Sequence, residues 1–167
     1  MRSSKYHLIP GDLRISPAMG VGAALGVSEA PDQAPILSPS LPTLLIFECV
    51  LAYMSPEASA DLLKWFVQYS VSGRSVLGCV VYEMFNLQDS FGRVMVSNLK
   101  VRHVSCLAEE ALMHKYQARN VTLPGVEPFV TLDQVSRRFT DVGFSASRAL
   151  SLKEIRRAYI EQSELER

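Results

Sequence analysis

The sequence predicts a layered α/β domain on a largely parallel sheet, and three observations lead there. Residues 43–50 carry the unbroken apolar run Leu44-Leu-Ile-Phe47, the pattern of a strand buried on both faces. A helix start, Ser55-Pro-Glu57, follows directly, and a second apolar run occupies residues 76–82. Strand, helix, strand in that order is a parallel crossover unit. With 48% hydrophobic and 20% charged residues in 167, the composition is that of a globular domain rather than a disordered tail.

The elements follow in order. Residues 6–13, Tyr-His-Leu-Ile-Pro-Gly-Asp-Leu, read as a strand that closes on a turn and leaves Asp12 at its end. Residues 15–42 hold five of the nine prolines and three glycines but no lysine or arginine, which reads as a flexible insert. After the central strand 43–50, Ser55 is a natural N-cap, and Pro56 costs nothing at the first helical position. Ala58, Leu62, Trp65, Phe66 and Tyr69 recur at helical spacing and define one buried face. Ser72-Gly73 closes this helix before the strand at 76–82 and a loop at 83–88. Asp89 or Ser90 can cap the next helix, with Phe91, Val94, Met95 and Leu99 on one side. Residues 103–125 read as more helix and then a loop. Two capping boxes, Thr131-Leu-Asp-Gln134 and Ser151-Leu-Lys-Glu154, open the last two helices around strand-like residues 144–150.

Composition and spacing also exclude several functions. Seventeen basic residues balance seventeen acidic ones, so no general field draws the chain to nucleic acid or anionic lipid. The most apolar stretch is interrupted by Glu48 and is shorter than the ~20 residues of a membrane span. Cys49, Cys79 and Cys106 form no paired motif, which suits a reducing compartment. The first ten residues hold no apolar signal core, and a cytoplasmic protein is expected. His103, Cys106 and His114 do not supply four ligands in tight pairs, so no metal site is expected. Gly-x-Ser-x-Gly is absent, and Tyr69, Tyr82 and Phe85 are not set among basic residues. Gly20, Gly22 and Gly26 have the look of a nucleotide loop, but prolines surround them and no strand directly precedes them.

Glu48 stands apart. A carboxylate directly after a buried apolar strand is costly unless something pairs with it. A structural ion pair and a cationic ligand both satisfy that requirement. Ligands of open α/β sheets bind at the carboxyl ends of strands, which makes Glu48 and Asp12 candidate site residues.

The segment Leu41-Pro-Thr-Leu-Leu-Ile-Phe-Glu-Cys-Val-Leu-Ala-Tyr-Met-Ser-Pro-Glu57 resembles, nearly residue for residue, a central segment of the leucine carboxyl methyltransferases. Residues 6–14, ending Asp12-Leu-Arg14, residues 60–65, and Tyr82-Glu83 resemble further parts of that family. So do Asp89-Ser-Phe-Gly-Arg-Val-Met-Val-Ser-Asn-Leu99 and Leu123-Pro-Gly-Val126. The resemblance covers about two thirds of the chain.

It implies a partial class I S-adenosylmethionine-dependent methyltransferase (Rossmann-like) fold, lacking the strands around the cofactor loop and the last strand. Residues 1–167 would be one incomplete methyltransferase domain with the 15–42 insert inside it, inactive and marginally folded alone. The implied reaction is methylation of the C-terminal leucine carboxylate of the type 2A protein phosphatase catalytic subunit. The implied cofactor is S-adenosyl-L-methionine, with Asp12 and Leu13 against its adenosine part and Glu48 at its methionine end. Tyr53 would be the catalytic residue facing the reacting methyl, beside the plain reading of a core or surface tyrosine. A tRNA wybutosine carboxyl methyltransferase and a non-catalytic phosphatase-binding module are the competing readings. No nucleic acid or membrane partner is expected, and a complete protein is expected to be monomeric.

Overall fold

The computed structural model describes residues 6–26, 35–99 and 121–166. Strand β1 (Thr43–Glu48) leads through a short turn into helix α1 (Pro56–Ser72), which returns the chain to strand β2 (Leu77–Tyr82). The two strands are parallel, with Thr43 opposite Leu77 and Glu48 opposite Tyr82. The crossover unit read from the sequence is therefore present.

Helix α1 begins where the sequence places it. The Ser55 side chain accepts a hydrogen bond from the Ala58 amide at 3.2 Å, satisfying an otherwise orphaned donor. The helix turns Leu62, Leu63 and Phe66 onto the sheet, where they join Phe47, Leu51, Met54 and Val142 in the main core. Leu45 from β1, and Leu77, Cys79 and Val81 from β2, pack against this cluster. The alternate residues face away: Leu44 and Ile46 are 60% and 71% exposed, and Val80 and Tyr82 are also open. The sequence predicts β1 to be buried on both faces; here one layer covers one face, and the strand shows the period-2 burial of a half-covered sheet.

Beyond β2, Asp89 accepts from the Gly92 amide at 2.6 Å and caps α2 (Ser90–Leu99). Both predicted capping boxes form, at Thr131/Gln134 for α3 (Leu132–Thr140) and Ser151/Glu154 for α4 (Leu152–Tyr159). A last short helix, α5, spans Gln162–Leu165. A second, smaller core of Ala52, Leu123 and Val126 collects Met84, Leu87, Met95 and Leu99 around it.

Two predicted strands are absent. In residues 6–13 only His7 makes an isolated bridge, and residues 13–15 turn. Residues 144–150 join no ladder, and a cavity of about 330 Å³ lies between them and β2. A strand exists only where a neighbour takes its amides and carbonyls, and the sheet of the described residues has only two members, β1 and β2.

The described parts of the 15–42 stretch are packed rather than free. Ala18–Gly22 is a π-helical turn, and Val21, Leu25 and Leu37 rest on the main core. Gly22 lies so close to Trp65 that an added Cβ would stand 3.2 Å from the indole. The Tyr69 hydroxyl donates to the Leu37 carbonyl at 2.7 Å. His103, Cys106 and His114, with the helix and loop expected there, lie outside the described residues as far as residue 120.

Candidate functional site

The chain leaves β1 through a tight bend. Cys49 sits in the left-handed region at φ 50°, and Leu51–Tyr53 form one turn of 3-10 helix. No side chain of the turn itself caps its first amides. Glu83, the first residue after β2, does so from across the sheet: one carboxylate oxygen accepts from the Leu51 amide at 2.7 Å and from the Ala52 amide at 3.2 Å. A carboxylate at the amino end of a helical turn also meets the positive end of its peptide dipoles. From the other side, the Gly125 amide donates to the Ala52 carbonyl at 3.0 Å. That approach requires glycine, since a Cβ at position 125 would fall 1.9 Å from the Leu51 carbonyl oxygen.

Glu83 is partly buried, and burial raises its carboxyl above the usual range, opposed by the amides of Leu51 and Ala52, the Arg138 charge and the Val50 amide. Burial lowers Arg138, and the Glu83 charge counters that. Among the described residues the second Glu83 oxygen, and Nε and Nη2 of Arg138, are buried without hydrogen-bond partners. Both side chains line the cavity between β2 and residues 144–150. Arg138 also stacks over the Phe129 ring at 4.8 Å.

The candidate residues named from the sequence fall into two places. Glu48 and Tyr53 share the bend after β1, Glu48 at the strand's carboxyl end and Tyr53, 47% exposed, in the 3-10 turn. Glu48 is exposed, which corrects the expectation of a buried carboxylate. The reason is its register: it shares the uncovered face with Leu44 and Ile46. Among the described residues its carboxylate has no hydrogen bond or ion pair, so the structural ion pair considered from the sequence is not formed there. The thiol of Cys49 is pushed up by burial and then by the charges of Glu83 and Glu48, so both carboxylates bear on the same bend.

Asp12 and Leu13 stand in a separate turn. Asp12 is bound by its neighbour: Arg14 donates from its backbone amide and Nε to one oxygen, both at 2.9 Å, and from Nη2 to the other at 2.7 Å. These bonds hold the Asp12 carboxyl at about 2. Leu13 packs against the main core that also holds Phe47 and Leu51, but no hydrogen bond of the described residues joins Asp12 to Glu48 or Tyr53.

Sequence reasoning placed Glu83 in the family-like pair Tyr82-Glu83 but did not count it among the candidate site residues. The sign that singles out Glu48, a carboxylate immediately after an apolar strand, occurs a second time at Val80-Val-Tyr-Glu83, and there the carboxylate is the buried one. No group of three or more histidine, cysteine or acidic side chains able to hold a metal occurs among the described residues. None of the described helices is long and apolar enough to cross a membrane.

No family model matches the chain. It is 41% identical over 129 residues to leucine carboxyl methyltransferase 1 of Cryptococcus neoformans, covering 74% of this chain and 33% of that protein. It is 34% identical over 119 residues to leucine carboxyl methyltransferase 1 of Bos taurus, covering 71% and 30%. Against the Caenorhabditis elegans protein of the same name, the match runs over all 167 residues at 29% identity and covers 41% of that relative. The chain spans about a third of the length of the curated relatives it matches. A parallel β1–α1–β2 unit is compatible with part of such a fold, and over this shared portion the chain belongs to the leucine carboxyl methyltransferase family.

Proposed function

We propose that this chain takes part in S-adenosyl-L-methionine-dependent methylation of a C-terminal leucine carboxylate, that of a type 2A protein phosphatase catalytic subunit. The similarity to proteins named leucine carboxyl methyltransferase carries this reading. The local chemistry is suited to the cofactor. Glu48 offers an exposed carboxylate, without a cation among the described residues, where an α-ammonium group needs one. Three of the Asp12 carboxylate's roughly four acceptor sites take donors of Arg14, which among the described residues leaves about one for a hydroxyl. Leu13 supplies apolar surface beside it.

When bound, S-adenosylmethionine supplies a methyl group on a positively charged sulfur. Glu48 would hold the ammonium. Tyr53 would face the reacting end, where its phenol would orient the incoming carboxylate and its ring would exclude water. A C-terminal carboxylate is ionised at neutral pH, so no side chain is required as a general base. Positioning and the removal of water are therefore the work assigned to these residues.

Titration of S-adenosylhomocysteine into the full chain, with Glu48→Ala beside it, tests the reading. Binding by the wild type and a loss of tenfold or more in the variant are the expected results, on the scale of a hydrogen-bonded charge pair. A wild type that does not bind, or a variant that binds equally well, sinks it.

A further inference from the structure

We propose that Glu83 is a positioning residue that clamps the bend carrying Glu48 and Tyr53 and so sets where those two side chains stand toward a ligand, an inference that rests on the functional reading above. Three observations converge on it. Glu83 takes both leading amides of the 3-10 turn, which no side chain within the turn caps. The bond at 2.7 Å reaches from the end of one strand to the residues just past the end of its neighbour, 32 positions apart in sequence. The Ala52 carbonyl is taken by the Gly125 amide, so this short backbone segment is held from two directions.

The consequence follows from the geometry of a turn. Tyr53 is the last residue of a turn whose first amides end on Glu83, and Glu48 precedes that turn by three residues with only the left-handed Cys49 and Val50 after it. A carboxylate on the two amides fixes the turn's axis, and the axis fixes the direction of the tyrosine. Without it, two donors lose their partner and the turn is free to unwind. Glu83 does this without touching the ligand itself.

The test uses the full chain, amide hydrogen exchange read residue by residue, and S-adenosylhomocysteine as the probe. In Glu83→Ala, the Leu51 and Ala52 amides are expected to exchange about tenfold faster or more, while those of Leu45 and Phe47, which point into the ladder between the donors Thr43 and Cys49, keep their wild-type rates. Affinity for the probe is expected to fall about tenfold. Glu83→Gln, whose amide oxygen can accept the same two bonds, is expected to restore most of both. Unchanged exchange at Leu51 and Ala52 in the alanine variant overturns the proposal. So does a failure of glutamine to rescue, or a loss of ladder protection in the alanine variant, because the role is then global. A wild type that does not bind the probe defeats the functional reading alone, and the clamp is then decided by the exchange rates.

Discussion

At the scale of single residues, Asp12 and Glu83 are carboxylates whose states differ because their surroundings differ. Asp12 is exposed but held by Arg14 at about 2, against an ordinary value of 3.8. A group lowered in the folded state contributes stability above its ordinary value, and that contribution is lost as the pH falls from about 4 toward 2. Arg14→Ala is expected to return the Asp12 carboxyl to the usual aspartate range in an NMR titration; a value that stays near 2 would assign the shift to something other than Arg14. Glu83 runs the other way, its carboxyl raised by burial, so its charge weighs against folding at neutral pH while its acceptor role supports the bend. The sequence made Glu48 a candidate site residue and not Glu83 for one reason. Both follow apolar strands, and the residue string does not show which strand end another layer covers.

Elements were legible where their determinants are local. Ser55, Thr131 and Ser151 announce helix starts within four residues, and each forms the predicted cap. Ser55→Ala removes the acceptor for the Ala58 amide and is expected to cost about 1 kcal/mol, seen as a drop of a few degrees in the thermal midpoint. An unchanged midpoint would mean that water replaces the serine without loss. Strands are different, because their partners lie far away in sequence. Residues 6–13 and 144–150 have strand-like composition yet form no ladder, while β1 and β2 form one because α1 carries the chain back beside itself. The same distance effect hid the packing of the described parts of the 15–42 stretch. Their composition suggests a linker, and only the fold reveals the main core as the surface against which Val21, Leu25 and Leu37 pack, with Tyr69 donating to the Leu37 carbonyl.

For the molecule as a whole, one sheet face has a helix layer and the other has none among the described residues. Leu44, Ile46, Val76, Val80 and Tyr82 all lie exposed. Contiguous apolar surface of this kind drives association in water, and open strand edges add to it. Sedimentation of the full chain is expected to show self-association that grows with concentration. Ile46→Lys is expected to weaken it without touching the main core, which Ile46 does not enter. A wild type that remains monomeric at high concentration would show that this face is covered in solution.

The chain has a single tryptophan, and its position gives the molecule an optical reporter. Trp65 stacks on Tyr69 at 5.4 Å and 10° between ring planes, meets Phe66 edge-on, and lies under Gly22. Its emission therefore originates where the small-residue turn at Ala18–Gly22 rests on α1, on the flank of that helix rather than at the strand ends. Undocking of that turn wets the indole and shifts its fluorescence to the red. Intrinsic fluorescence thus reports whether this turn rests on α1 without any label being added.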